Sequence, residues 1–472
     1  MREKLEVYFE FGRLGTNWRT EILAGFTTFV TMAYIIFVNP SILADAGMNV
    51  AATTAATCLS AAFGSILMGV LARYPIALAP GMGLNAYFTY SVVKGMGVSW
   101  QTALGAVFLS GIIFILLTAG GVRKLILESI PHDLYAAVAV GIGLFIAMVG
   151  FVDSGFVRRI PDAAGTTVPV GLGIEGSIAS WPTAVFAFGL LLCGVLVARQ
   201  IRGGIFIGIV VTTVVAAVVD ALTNPGPSFV DGSPSPTGWN LAVPGIPDSL
   251  GGLPNLSLIG QVDLLGAFVR IGPLAAGLFV FTLLLANFFD AMGTFTGLGK
   301  EAGLMDEQGN LPNMKTALVV EGVGAVAGGF TSSSSNTVFL ESATGIAEGA
   351  RTGLANIVTG GLFLLAMFFT PLYEVVPVEA AAPALVVVGA LMMSQIVQID
   401  FTKFSIALPA FLTIVTMPFT YSIANGIGIG FVAWVVMASA TGRARSVHPL
   451  LWVVAAAFLV YFAIGPITDA LA

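Results

Sequence analysis

Charged side chains are scarce in this 472-residue chain, at 9% of its residues, whereas roughly a quarter is usual in a globular domain. Hydrophobic residues make up 57% of the sequence, and the mean hydropathy is +0.96. A soluble core cannot bury that much apolar surface, and apolar stretches of about 20 residues, which is enough to cross a bilayer, recur from end to end. The composition therefore excludes an ordinary soluble protein and predicts an all-α, multi-pass membrane protein.

Cysteine and histidine are also nearly absent. The two cysteines, Cys58 and Cys193, lie in apolar stretches without CxxC spacing, so the sequence predicts neither a disulfide framework nor a metal site. The net charge of −6 includes no basic stripe of the kind that binds nucleic acid. Without an HExxH motif or paired histidines, the chain is not expected to be an enzyme or to need a cofactor. Carboxylates and amides remain as its polar chemistry.

The apolar stretches predict fourteen transmembrane spans within 21–441 and a further apolar segment at 448–470. With the N-terminal tail 1–20 in the cytoplasm, most of the 19 basic residues fall on the cytoplasmic side, as the positive-inside rule requires. We therefore expect a protein of the cell membrane, plasma or inner, with a cytoplasmic N-terminus. The basic residues placed outside are Lys94, Arg158, Arg159 and Arg270.

The stretch 224–261 is rich in proline, glycine and serine and lacks lysine and arginine, so it is predicted to connect two halves of the chain on the outside. Each half contains a short, interrupted apolar segment in the third position, at 75–88 and 331–341. Paired, broken segments at corresponding positions are typical of a transporter whose substrate binds near the middle of the membrane. Seven spans per half is an odd number, which predicts that the two halves are inverted relative to each other.

The predicted organisation follows from this duplication. It comprises the tail 1–20, a first seven-span repeat at 21–222, an extracytoplasmic loop at 223–267, a second seven-span repeat at 268–441 and a C-terminal apolar segment at 442–472.

The first broken segment combines Pro75, Pro80, Gly81 and Gly83 with Asn85. Proline cannot continue a helix, so the sequence predicts an extended piece followed by a half-helix that starts near Gly81. Such a helix start would direct unpaired backbone N–H groups towards a substrate. Asn85, one turn later, both donates and accepts hydrogen bonds, and we expect it either to bind substrate or to join two helices.

A second constellation, Asn287, Asp290 and Thr294, lies in the apolar stretch that begins the second half. The spacing of three and four residues puts all three side chains on one helix face. That face is not expected to contact lipid, and it predicts either a substrate site or a structural hydrogen-bonded acid.

The stretch from Thr331 to Gly353 contains the second broken segment and begins with five hydroxyl residues followed by Asn336. Ser334, Ser335 and Asn336 are predicted to bind a ligand, and Glu341 follows among apolar residues. An acid at that depth is a candidate functional residue because an unpaired charge in the membrane is costly. Two further predictions concern acids outside this group. Glu321 is expected to be structural, and Glu348 is expected to pair with Arg351 near the cytoplasmic end.

Two acids and an amide at mid-depth favour a planar heterocycle, because a carboxylate accepts two parallel N–H bonds. A nucleobase is such a ligand. A buried acid also offers a means of carrying a proton, so Asp290 and Glu341 are predicted to couple base uptake to the proton gradient. The alternative is an anion transporter or channel of the same fold, but acids at these positions would repel anions.

Four motifs in this order resemble the AzgA-like purine permeases, a branch of the nucleobase-cation symporter-2 family. They read NPSIL, APGMGLNAYF, FFDAMGT and ESATGIAEGARTGL, and the resemblance extends over nearly the whole chain. It implies fourteen spans in two inverted seven-span repeats, with a core domain at 21–119 and 268–370 and a gate domain at 135–222 and 381–441. It also implies uptake of adenine, guanine or hypoxanthine with protons, and a homodimer.

By motif, the resemblance assigns substrate binding to Asp290, Glu341 and Asn85. Two positions depart from the family pattern. Thr294 stands where the pyrimidine and xanthine branches often carry a histidine, and serines with Asn336 stand where many relatives have threonines. The resemblance therefore supports no proton path through a histidine here.

Overall fold

The computed structural model describes residues 2–121, 129–159, 170–174, 176–178, 180–230, 233–247, 249–306 and 311–463. Within these residues, ten helices are long and apolar enough to cross a membrane. The predicted all-α membrane protein is therefore confirmed in its class, whereas the count of fourteen spans and the inverted repeat stay predictions.

The elements of the first half, in chain order, are α1 (Arg2–Tyr8), α2 (Phe11–Leu14), α3 (Trp18–Met32), α4 (Ile35–Ala44), α5 (Val50–Leu67), β1 (Leu78–Pro80), α6 (Met82–Ala86), α7 (Trp100–Ala119), α8 (His132–Asp153), β2 (Val157–Arg159), β3 (Val170–Leu172), α9 (Trp181–Ala198) and α10 (Gly204–Thr223). Helices α5 and α6 continue as wider π-helical turns at Met68–Ala72 and Tyr87–Lys94.

The elements of the second half are β4 (Phe229–Val230), β5 (Ser233–Pro234), α11 (Gly266–Arg270), α12 (Pro273–Glu301), α13 (Met314–Thr331), β6 (Asn336–Val338), α14 (Ser342–Ala347), α15 (Gly353–Ala366), α16 (Thr370–Glu374), α17 (Val378–Met392), α18 (Phe404–Phe419), α19 (Ile423–Ala440) and α20 (Pro449–Phe462). Short 3-10 turns occur at Met367–Phe369, Met393–Gln398 and Ala444–Ser446.

Local sequence explains several helix starts. Asn17, Asn49 and Ser99 each accept a hydrogen bond from a backbone N–H of the first turn of α3, α5 and α7, which satisfies a donor that the helix leaves unpaired. The first apolar stretch forms one candidate span, Trp18–Ala44, with a turn between α3 and α4 at Ala33 and Tyr34. There the chain tightens, because the N–H of Ile36 bonds the carbonyl of Ala33 and that of Phe37 bonds Tyr34.

The helices pack as two sets. In one set, α13 packs against α5 and α7, α15 against α3 and α5, and α12 against α7. In the other set, α8 packs against α17, α18 and α19, and α9 packs against α10 and α17. Contacts between the sets include α4 with α17, α6 with α8, and α3 with α10. Helix α12 of the first set also packs against α8 and α19 of the second set, and β1 and β6 lie inside the first set.

Two polar links also join the sets. The hydroxyl of Tyr90 lies 2.8 Å from Asp45 and 2.7 Å from Asp153 at the end of α8. The second link is an ion pair between Arg202 and Glu348, which lies just after α14. Both links connect side chains of the first set to residues of the second.

Candidate functional site

The two interrupted segments meet as a short antiparallel pair of strands. In the register of β1 and β6, Leu78 faces Val338, Ala79 faces Thr337 and Pro80 faces Asn336. Every residue of both strands is buried. The extended stretches predicted in the two interrupted segments, 75–88 and 331–341, are therefore present, and each satisfies backbone groups of the other where a helix is missing.

The backbone pairing continues beyond the strands. Gly81 donates its N–H to the carbonyl of Ser335, and Phe339 donates to Ala77, both at 2.9 Å. Helix α6 begins one residue after Gly81 and helix α14 begins at Ser342. Irregular backbone is tolerated inside a membrane protein only where protein or water covers it, and here neighbouring protein does so.

Glycine permits one of the closest approaches in this region. A Cβ added at Gly328 of α13 would lie 1.9 Å from the carbonyl oxygen of Ser334. Ser332 and Ser334 themselves have positive φ angles of 67° and 71°, a conformation that L-residues adopt rarely. The polar run can therefore turn sharply against α13 only because that helix presents a bare backbone.

The predicted polar residues of the second segment form the wall of the site. Ser334, Ser335 and Asn336 are fully buried. The Ser335 hydroxyl accepts a hydrogen bond from Asn287 at 2.7 Å, and the Asn336 amide bonds the hydroxyl and the carbonyl of Ser60. The hydroxyl of Ser334 has no hydrogen-bond partner among the described residues.

The amide of the first segment is also buried. Asn85 donates from Nδ2 to Oδ1 of Asn39 at 2.5 Å, and Asn39 donates in turn to Thr57 and to the carbonyl of Ser333. Asn85 thus joins α6 to α4, which was the structural alternative for this residue. Its Oδ1 has no partner among the described residues and leaves one acceptor available.

Asp290 and Glu341 differ from these buried residues because both side chains are accessible. Asp290 is exposed and Glu341 is partly exposed, although the neighbouring Ala291 and Ser342 are fully buried. The carboxyls of Asp290 and Glu341 are close enough to interact electrostatically. Leu340, between the strand and α14, is 58% exposed. We call the accessible surface of Asp290, Leu340 and Glu341 the acid cleft.

Side chains from three other elements complete the surroundings of the acid cleft. Tyr34, at the turn between α3 and α4, donates its hydroxyl to Glu341. Thr337 of β6 donates to Asp290 at 2.8 Å. The phenol of Tyr135 on α8 also lies within electrostatic range of Asp290, so one side chain of the second set of helices approaches this acid.

The remaining predicted residues, two polar side chains and two glycines, are closely packed around the two acids. Thr294 is 9% exposed and Asn287 is 2% exposed. Gly83 packs against the second helix set, where an added Cβ would lie 2.5 Å from the Ile142 side chain. Gly81 contacts Thr337, whose methyl carbon would lie 2.7 Å from a Cβ at Gly81. Both glycines therefore permit close packing beside the acid cleft.

One predicted ion pair is wrong. Glu348 pairs with Arg202 rather than with Arg351, and Arg351 donates to the carbonyls of Ile346 and Ala350. The reason is that α14 ends at Ala347, so Arg351 turns back onto the carbonyl of Ile346 in its last turn, as basic side chains do at helix ends, and onto that of the adjacent Ala350.

Three residues around the acids were not predicted as partners. Tyr34 and Thr337 bond Glu341 and Asp290, and the Thr337 hydroxyl also lies 3.0 Å from the Glu321 carboxyl. Glu321 is fully buried, as expected of a structural acid, but it shares its partner with Asp290. An unpaired acid in an apolar stretch is the signal that would have marked Glu321.

Two interrupted segments that pair inside a bundle of apolar helices, with accessible acids beside them, define a membrane transport protein. Residues 19–429 match the family profile described as "Permease family" (Xan_ur_permease). The chain therefore belongs to this permease family, a family of transporters and not of enzymes, and its resemblance to purine permeases of the nucleobase-cation symporter-2 group is confirmed.

Relatives match the chain along its whole length. A putative permease of Methanocaldococcus jannaschii is 43% identical, with 97% of this chain and 98% of the relative covered. The guanine/hypoxanthine permease PbuG of Bacillus subtilis is 41% identical, with 97% and 99% covered. The adenine permease AdeP of Escherichia coli is 40% identical, with 96% and 95% covered.

Solved structures support the fold. The transmembrane domain of the cyanobacterial bicarbonate transporter BicA superposes with a TM-score of 0.61 at 15% identity, covering 87% of this chain and 98% of that domain. At this identity the likeness concerns the fold alone.

Proposed function

We propose that this permease imports purine nucleobases together with protons, and that the base binds in the acid cleft. The observation that carries the proposal is the pair of accessible carboxyls, Asp290 and Glu341, beside the point where the two interrupted segments meet. Relatives that are adenine permeases and guanine/hypoxanthine permeases support the class of substrate. Adenine, guanine and hypoxanthine all remain candidates.

The chemistry of the cleft suits a planar base better than an anion. A purine presents N–H groups at its edge, and an ionised carboxylate accepts two such bonds in parallel. The aromatic ring of Tyr135, which lies near Asp290, offers a flat surface for the base. Two carboxylates would repel sulfate or bicarbonate, so the fold's likeness to a bicarbonate transporter does not favour anion transport.

Buried amides and hydroxyls hold the acids in position. Asn287 reaches Ser335, and Asn85 reaches the Asn39 network. In this proposal Asn85 uses its free oxygen towards substrate or maintains the helix start beneath it. The buried Ser334, Ser335 and Asn336 act through the backbone that they position, and the glycines Gly81 and Gly83 permit that backbone to approach closely.

Movement of one helix set against the other would carry the cleft across the membrane. In this proposal the set that holds Asp290 and Glu341 is the core domain, and the set that holds Tyr135 is the gate. Few contacts join the sets, which suits rigid-body motion between two states. The cytoplasmic N-terminus and the homodimer belong to this proposal as well.

Uptake into cells or proteoliposomes tests the proposal directly. Labelled hypoxanthine, adenine, uracil and sulfate are supplied separately, each with and without a protonophore. We expect accumulation of at least one purine, its loss when the proton gradient is dissipated, and no uptake of sulfate. Sulfate uptake without purine uptake would contradict the substrate, and purine accumulation that is indifferent to the protonophore would contradict the coupling.

A further inference from the structure

Binding and proton transport make opposite demands on Asp290. A carboxyl that accepts two N–H bonds from a base must be ionised, whereas a carboxyl that carries a proton is neutral. If the base and the proton cross together, the proton must be held on another group while the base occupies Asp290. That group must exchange protons with Asp290 and must be shielded from water.

Glu321 of α13 meets both conditions. The hydroxyl of Thr337 lies 2.8 Å from Oδ2 of Asp290 and 3.0 Å from Oε1 of Glu321. A hydroxyl has one proton and therefore donates to only one of two oxygens. Both contacts are hydrogen bonds at once only if one of the two carboxyls is itself protonated and donates to Thr337. The geometry thus describes two carboxyls that share a proton through a hydroxyl.

The surroundings of Glu321 favour the protonated form. Its side chain is fully buried, and Oε2 has no hydrogen-bond partner among the described residues. The donors at its carboxyl are neutral groups, the Thr337 hydroxyl and the backbone N–H of Val338. The elements packed against α13 are α5 with its π-helical turn, α7, β1 and β6. None of them contains a charged residue or a histidine, and their one titratable side chain is Cys58. A buried carboxylate without a cation beside it is costly, and Asp290 is the acid that Glu321 reaches through Thr337.

We propose that Glu321 holds the transported proton while Asp290 binds the base. The cycle begins with both carboxyls ionised, which is the costly state that favours uptake of a proton. A proton from water then protonates Asp290, which is exposed. Asp290 then passes its proton to the Thr337 oxygen as the Thr337 hydroxyl proton moves to Glu321. The hydroxyl is regenerated, Asp290 becomes the ionised acceptor and Glu321 becomes neutral, so the net charge is unchanged. After the base leaves on the other side, the same transfers in reverse return the proton to water.

The inference rests on the proton-coupled import proposed above and predicts a specific separation of binding from coupling. Glu321→Gln imitates a permanently protonated acid, so the variant keeps the neutral group but cannot release a proton. Thr337→Val keeps the shape of the relay residue without its hydroxyl, and Thr337→Ser keeps the hydroxyl. Glu379→Gln is the matched control. Glu379 is another fully buried acid, its Oε2 lacks a partner within the described part of the chain, and it lies on α17 of the second set, where it accepts from the backbone N–H of Asn240.

The experiment compares three quantities in proteoliposomes for each protein. They are equilibrium binding of the labelled purine that the wild type transports, exchange of labelled for unlabelled base without a gradient, and accumulation driven by a pH step of one unit. One proton per base allows the wild type about tenfold accumulation for that step. We expect Glu321→Gln and Thr337→Val to bind and exchange base but to equilibrate it without accumulation, whereas Thr337→Ser and Glu379→Gln accumulate it.

Three results would overturn the inference or the proposed coupling on which it rests. Accumulation by Glu321→Gln at the wild-type level would overturn the inference and leave Glu321 as a structural acid. If Glu321→Gln fails to bind base because it misfolds, the threonine pair decides, and equal accumulation by Thr337→Val and Thr337→Ser would overturn the relay. A wild type that transports base without protons would overturn the proposed coupling itself, which the wild-type measurement reveals before any variant is compared.

Discussion

Asp290→Asn is the substitution that we expect to weaken base binding at the proposed site most clearly. The amide has the same shape as the carboxylate and can still accept the Thr337 hydroxyl, which lies 2.8 Å from Oδ2. It then presents an NH₂ group to the N–H edge of the base, where the wild type presents an ionised oxygen. The variant therefore loses an acceptor and places two donors against each other, without disturbing the wall behind it.

The size of the effect follows from the bond that is lost. A hydrogen bond to a charged group contributes about 1.5–3 kcal/mol, and an unpaired donor adds a penalty of similar size. A net loss of about 3 kcal/mol corresponds to roughly a hundredfold weaker binding of the base. Because Asp290 is exposed, water pairs with part of the misplaced amide, and we expect the loss to stay near this value.

Equilibrium binding of labelled purine to purified protein measures this loss. Glu301→Gln is the control, since Glu301 is an exposed acid at the end of the same helix. We expect the control to bind as the wild type does. If Asp290→Asn binds within about threefold of the wild type, a difference below 1 kcal/mol, the base does not bond to Asp290 and the proposed site is refuted.

Three further predictions concern other parts of the molecule. Glu341→Gln is expected to abolish or greatly weaken base uptake while the protein still reaches the membrane; wild-type uptake would remove Glu341 from the site. Tyr90→Phe removes the hydroxyl that lies within hydrogen-bond distance of the carboxyls of Asp45 and Asp153, so we expect a lower thermal midpoint for the purified protein, equivalent to about 1–3 kcal/mol; an unchanged midpoint would show that this link adds no stability. Gly353→Ala places a Cβ 1.9 Å from the carbonyl oxygen of Gly69, and we expect poor folded yield because such overpacking costs about 1–3 kcal/mol or more. Gly361→Ala on the same helix meets no atom within 4 Å and is expected to fold normally; equal yields of the two variants would contradict the packing described here.

The sequence predicts best those features whose residues differ from the apolar residues around them. An acid in a long apolar stretch stands out wherever it occurs, which is why Asp290 and Glu341 are recognisable from the order of residues alone. Proline and glycine in place of an apolar turn likewise mark the interrupted segments, and the strands β1 and β6 occur where these segments lie. Composition and local spacing carry this information because each such residue is costly in an ordinary span.

Partners across the fold are beyond the reach of the sequence. Tyr34 and Glu341 are 307 residues apart in the chain, and no periodicity relates them. In the sequence, Thr337 is not distinguished from the other residues of a polar run. Only the fold places its hydroxyl between Asp290 and Glu321. The pairing of Glu348 with Arg202 escapes prediction for the same reason, since it depends on how two helix sets pack and not on local spacing.

The proposed function depends most on one contact, that between the purine and the two accessible acids. An experimental structure of the protein with bound hypoxanthine or adenine tests it most directly. We predict that the base lies in the acid cleft, with its N–H groups about 2.7–3.2 Å from carboxylate oxygens of Asp290 or Glu341. A base bound elsewhere, or held in the cleft without a hydrogen bond to either acid, would contradict the account.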